Sequence, residues 1–251
     1  MTDIARLSPH VPRFAGDIQT KGVLIGMPAY GGLIFDPCMH GLRETKDRFD
    51  QLGIPFNLVT IRNESLIQRA RHQILALFLQ STCDRLIFID ADIGFTAEQV
   101  LRLLAHDRDV IGGMYRKKTM ETQDYAANLL VNPDGTVTQD EKTGALRALH
   151  VATGFMCIKR GVVERMVGAF PHLRYRMHGP AQNAVGSEYA HAIMEPFIDP
   201  VTLDYYSEDY AFCERWRAIG GECWVDPGLI LEHWGALCLT GDPMAHLLGQ
   251  A

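Results

Sequence analysis

The stretch Arg85-Leu-Ile-Phe-Ile-Asp-Ala-Asp92 joins an apolar strand pattern to two carboxylates one residue apart at its carboxyl end. Toward the N-terminus, residues 65–79 place Leu66, Ala70, Ile74 and Leu77 on one face at helical spacing, and residues 56–61 form another strand after the break at Gly53. A helix over about 36–52 precedes it, and residues 22–27 form a buried strand running into the loop Pro28-Ala-Tyr-Gly-Gly32. Toward the C-terminus, Thr96 caps a helix over 97–105, and residues 109–114 form the next strand. This alternation predicts an α/β fold whose mostly parallel central sheet is covered by helices on both faces.

Beyond residue 120 the texture changes. Residues 128–138 read as a hairpin about the turn Asn132-Pro-Asp-Gly135, and 151–158 as one strand leading into a helix over 161–168. The Pro-punctuated stretch 171–206 is too long for a connector and predicts a binding loop or lid. A helix over 208–219 ends at Gly220-Gly221, and strand segments at 223–227 and 229–231 lead to Glu232-His233-Trp234. Residues 1–20 lack periodicity and predict a loosely held arm ahead of a single domain, 21–251.

Composition narrows the function classes. The chain has 251 residues, 47% hydrophobic and 22% charged, with a formal charge of −6. That balance argues against a surface-wide grip on nucleic acid, so an anionic ligand must meet a local basic cluster. No apolar run approaches the roughly 18 residues that span a bilayer. Six cysteines without a C-x-x-C pair read as reduced thiols, mostly in the core, and a cytoplasmic protein is expected.

Asp90 and Asp92 are surplus to turn chemistry, because Thr96 already caps the next helix. Alternation along a strand turns both carboxylates to one side, where their repulsion calls for a cation. Rival motifs fail: an EF-hand loop needs Gly and Glu where Phe95 and Leu101 stand, and a Walker B strand lacks its upstream P-loop. Glu208 and Asp209 follow Ser207, and as acids in a first helical turn they are accounted for by the helix dipole alone. His233 ends a strand in a chain with unpaired carboxylates, which makes it a candidate for a third metal position.

Taken in order, Asp90-Ala91-Asp92, Thr153-Gly154-Phe155, Glu208-Asp209 and His233 resemble the GT-A class of nucleotide-sugar glycosyltransferases over about residues 21–235. Within that class, Asn63-Glu-Ser-Leu-Ile-Gln-Arg-Ala-Arg71 followed by Phe88-Ile-Asp-Ala-Asp-Ile93 is most similar to fungal Golgi mannosyltransferases and related bacterial and viral enzymes. The resemblance implies a GT-A-type, Rossmann-like sheet with a smaller antiparallel acceptor-side portion, a donor half over 21–120 and an acceptor half over 121–251. It implies that Asp92 ligates Mn²⁺ or Mg²⁺, that Asp90 contacts the ribose or the metal shell, and that His233 completes the coordination. Asp209 or Glu208 would face the acceptor hydroxyl, with Asp209 the first choice of base and Glu208 free to point to solvent. Pro28, Tyr30, Gly154 and Phe155 join the substrate-binding candidates. The fungal relatives are membrane anchored; no transmembrane segment is expected here, and peripheral membrane association stays open.

Two phosphates need positive partners beyond one divalent cation, and arginine offers a bidentate fork. Arg62, Ser65 and Arg69 gather around one helix start, and Arg116 and Lys117 follow the strand at 109–114. Arg69 is the first choice, one turn from Ser65, with Arg71 on the opposite edge of the apolar face. The expected function is hexosyl transfer from a UDP- or GDP-linked sugar to a hydroxyl of a saccharide. The alternatives are a metal-dependent phosphohydrolase of nucleotide sugars and a non-catalytic sugar-nucleotide-binding module.

Overall fold

The computed structural model describes residues 7, 18–177 and 185–250. Most of the arm expected over 1–20, and the centre of the loop expected over 171–206, lie outside the described residues. The chain begins with β1 (Val23–Ala29), α1 (Asp36–Leu52), β2 (Phe56–Arg62), α2 (Ile67–Gln80), β3 (Arg85–Ile89), β4 (Ile93–Gly94), α3 (Ala97–Ala105) and β5 (Val110–Gly113). There follow β6 (Ala127–Leu129), β7 (Leu146–Val151), β8 (Phe155–Lys159), α4 (Arg160–Ala169), β9 (Phe197–Ile198) and β10 (Tyr205–Tyr206). The last elements are α5 (Glu208–Ala218), β11 (Cys223–Asp226), β12 (Glu232–Trp234), β13 (Cys238–Leu239) and α6 (Pro243–Leu247).

Eight strands form the main sheet in the order β2-β1-β3-β8-β5-β11-β7-β6. Only β7 and β8 run against the others, so the sheet is mostly parallel in direction. Smaller antiparallel sheets join β9 to β10, and β12 to both β4 and β13. This is the α/β architecture expected from the sequence, including its antiparallel portion.

The central strands bury both faces, with the side chains alternating at period two. Val23, Ile25 and Met27 of β1 and Ile87 and Ile89 of β3 pack with Leu42 and Phe49 of α1 and Val100 and Leu104 of α3. Leu24, Leu86 and Phe88 point the other way, into Ile74 and Phe78 of α2, Val162 and Met166 of α4, and Phe212 and Trp216 of α5. Helix α2 comes so close to β1 that a Cβ at Gly26 would lie 2.3 Å from the Ile74 side chain. The Thr96–Gln99 capping box starts α3 as its sequence predicts.

Three expectations need correction. The turn at 132–135 forms, with the Asn132 N–H donating to the Thr136 carbonyl at 2.7 Å, but its return limb is a single bridge between Val131 and Val137. Strand β6 pairs instead with β7. The run 151–158 is two strands, because the turn at Thr153-Gly154 breaks an otherwise continuous apolar stretch. Residues 229–231 are not a strand; Glu232-His233-Trp234 form β12 themselves by pairing with β4 and β13. No helix among the described residues is long and apolar enough to cross a membrane.

Strand β1 lies between β2 and β3, so the chain leaves β1 toward one side and returns on the other. A crevice therefore opens outside the carboxyl ends of β1 and β3, the place where open α/β sheets bind ligands.

Candidate donor and cation site

A cleft of about 530 Å³ occupies that crevice. Pro28 and Tyr30 line it from the end of β1, Glu64 and Ser65 from the approach to α2, Asp90 and Asp92 from the end of β3, and Arg71 and Glu208 from α2 and α5. The backbone of residues 90–92 is braced by three elements. The Asp90 carbonyl accepts from Ile93 N–H at 3.1 Å, Ala91 from Phe35 N–H at 2.9 Å, and Asp92 from Trp234 N–H at 2.8 Å.

The two aspartates do not share one side as strand alternation predicts. Strand β3 stops at Ile89, and residues 90–93 form a turn that sends the two side chains to different partners. Asp90 Oδ1 accepts from Arg71 Nη2 at 3.0 Å, and Glu208 Oε1 accepts from Arg71 Nε at 3.3 Å. The Arg71 side chain is only 3% exposed, and its buried Nη1 has no hydrogen-bond partner. Burial opposes the charge on Arg71, but Asp90 and Glu208 outweigh it and raise its pKa. Burial raises the pKa of Glu208 against the lowering by Arg71. Burial and then Asp90 push the Tyr115 phenol well above its ordinary value.

Asp92 faces the open side. Its Oδ2 accepts from Lys118 Nζ and stands 3.8 Å from His233 Nε2. His233 Nδ1 lies 2.7 Å from the Arg116 carbonyl, which can only accept, so Nδ1 carries a proton and Nε2 is the nitrogen that faces Asp92. Pairing of β12 with β4 sets His233 opposite Ile93, one residue beyond Asp92.

The expected three-ligand metal set is thus reduced. Among the described residues no group of three or more His, Cys, Asp or Glu gathers about one point, because Asp90 is committed to Arg71. The pair left, Asp92 Oδ2 and His233 Nε2, could offer one carboxylate oxygen and one imidazole nitrogen to a divalent cation. A locked imidazole tautomer is the arrangement that metal-binding histidines use.

The remaining candidates fall on two sides of the cleft boundary. Arg69 is bound by Glu64 at 2.6 Å, with its side chain 56% exposed, and the cleft is lined instead by Arg71. Arg71 sits on the buried face with Ile74 and Leu75, three and four residues on. Arg62 and Lys117 are exposed and do not line the cleft, while Arg116 contributes its carbonyl to His233.

Gly154 and Phe155 lie behind the cleft. The Gly154 carbonyl accepts from Asp90 N–H at 3.0 Å, and a Cβ there would strike the Tyr115 hydroxyl. Phe155 is fully buried against Phe95 at 5.5 Å. Glu208 points into the cleft rather than to solvent, whereas Asp209 Oδ1 is held by Ser207 Oγ and by Tyr210 N–H at 2.9 Å. Ser207, at the N-cap of α5, donates to that carboxylate and its side chain makes no capping bond to the helix. Lys118 closes the basic run 116–118; Arg116 and Lys117 were the expected phosphate partners, and it is Lys118 that reaches Asp92.

No protein-family model and no curated protein matches this chain. Among solved structures it is similar to A197 from STIV, at 18% identity and a TM-score of 0.48, over 85% of this chain and 86% of that one. It is also similar to GalNAc-T7 with UDP, GalNAc and Mn²⁺, at 12% identity and a TM-score of 0.44, over 93% of this chain. The alignment spans 48% of the GalNAc-T7 chain, about half its length.

Proposed function

We propose that this protein is a divalent-cation-dependent glycosyltransferase that moves a hexose from a UDP- or GDP-linked donor to a hydroxyl of a saccharide acceptor. The observation that carries the reading is the facing pair Asp92 Oδ2 and His233 Nε2, 3.8 Å apart beside a switch-point cleft. Mn²⁺ or Mg²⁺ held there would neutralise charge developing on the departing diphosphate.

The protein's own groups supply the rest. Arg71 lines the cleft with a guanidinium fixed by Asp90 and Glu208, a group that suits a phosphate or a ribose oxygen. Asp90, oriented by Arg71 Nη2, would accept from a ribose hydroxyl. Glu208 lines the cleft with a pKa raised by burial, which makes its carboxylate a stronger base toward the acceptor's proton. The exposed apolar side chains of Tyr30 and Leu33 at the rim fit the faces of a base or a sugar ring.

The test is thermal stabilisation by Mn²⁺ with a panel of UDP- and GDP-sugars, followed by assays for transfer to saccharides and for release of free sugar. The resemblance to fungal mannosyltransferases makes a GDP-linked sugar one arm. Stabilisation that needs both cation and donor, with transfer exceeding hydrolysis, is the expected outcome. Hydrolysis that no acceptor suppresses would support a phosphohydrolase, and binding without turnover a non-catalytic module.

A further inference from the structure

Lys118 lies on the loop between β5 and β6, which is tied down by Lys117 N–H to the Asp124 carbonyl and Ala126 N–H to the Tyr115 carbonyl, each at 2.8 Å. Its stem runs past Gly235, where an added Cβ would come within 3.5 Å of the Lys118 Cδ, and its ammonium ends on Asp92 Oδ2. That is the same oxygen that faces His233 Nε2. An ammonium and a divalent cation cannot both hold this oxygen closely, because two positive charges would meet across one atom. The ion pair is partly exposed, at 41% for Lys118 and 28% for Asp92, and exposed pairs are weak and readily exchanged.

We propose that Lys118 is a built-in counter-ion that makes cation binding at Asp92 and His233 conditional on the phosphates of the donor. With the site free, the ammonium neutralises Asp92. When a cation enters, the flexible four-carbon stem carries the ammonium to the nearest new anion, the diphosphate held by that cation. The diphosphate thereby removes the competitor for Asp92, and cation and nucleotide each tighten the other's binding by the same factor. The device rests on the donor-site reading above.

Calorimetric titrations of Mn²⁺ alone, of UDP or GDP alone, and of each in the presence of the other test this in the full chain and in Lys118→Met and Lys118→Arg. In the parent protein Mn²⁺ alone binds weakly, and UDP or GDP tightens it by about tenfold or more. Lys118→Met tightens Mn²⁺ alone by roughly tenfold, weakens the nucleotide in saturating Mn²⁺ by a similar factor, and shrinks the coupling, while Lys118→Arg retains it. If the parent protein binds both ligands and Lys118→Met leaves every affinity unchanged, the counter-ion role fails and the donor site stands. If neither Mn²⁺ nor nucleotide binds any of the three proteins, the donor-site reading fails and the counter-ion role fails with it.

Discussion

Asp90 and Asp92 leave the same turn and enter opposite surroundings. Asp90 shares a buried guanidinium with Glu208, and the three groups tie the end of β3 to α2 and α5. Asp92 meets a half-exposed lysine and a histidine on the open side. The difference teaches which part of the site can exchange partners. A buried ion cluster is costly to break, because each group left behind is a charge without a partner. An exposed pair gives up its partner at little cost. The first cluster is therefore a frame, and the second can exchange its partners.

Removing Arg71 tests the frame most severely. Arg71→Met leaves Asp90 and Glu208 facing each other without the guanidinium, and the expected loss is about 3–5 kcal/mol in denaturant unfolding, with donor binding lost as well. An unchanged unfolding midpoint would mean that the cluster carries no structural load and that the contrast with Asp92 is unfounded.

The acid pair on α5 sharpens the comparison at the level of chemistry. Glu208→Gln keeps side-chain volume and is expected to lower turnover by roughly 10²–10⁴-fold with donor affinity retained. Asp209→Asn is expected to cost about 0.3–1 kcal/mol of stability and little turnover, because the Asp209 carboxylate serves Ser207 and Tyr210 at the helix start. Steady-state kinetics and unfolding curves on both variants decide the order, which reverses the ranking expected from sequence.

The smallest effect is a pH slope. The folded-state pKa of Glu208 is raised above its ordinary 4.5, so the folded protein holds that proton more tightly than the unfolded chain does. Its contribution is most favourable below 4.5 and is lost as pH rises through the folded value. Unfolding midpoints measured from acid to neutral pH should fall less steeply for Glu208→Gln than for the parent protein; parallel curves would show that burial does not perturb this carboxyl.

The strands and helices were more legible than the partners of the site's side chains. In β1, β3 and β5 the strands are apolar runs and the helices between them keep a 3.6-residue period, so local pattern and tertiary burial agree. Arg71 escaped because helical spacing tells which residues are buried, not which buried cation will find two carboxylates from distant strands and helices. The turn at 90–93 escaped because strand alternation extrapolates past Ile89, where pairing with β8 ends. Lys118 and His233 are neighbours only because β12 crosses to pair with β4, a long-range contact that no local window contains. The division of 151–158 into β7 and β8 hides in the same way, since Val151, Ala152 and Phe155 are all apolar and only the sheet decides where the chain turns.

The central claim is that Asp92 and His233 hold a divalent cation that carries the diphosphate of a sugar donor. Its most direct test is titration of UDP and GDP into the parent protein and into Asp92→Ala, each with and without Mn²⁺. The account predicts Mn²⁺-dependent nucleotide binding in the parent, its loss in Asp92→Ala, and nearly equal unfolding midpoints for the two proteins. Nucleotide affinity that is the same with and without Mn²⁺, and the same in both proteins, would contradict it.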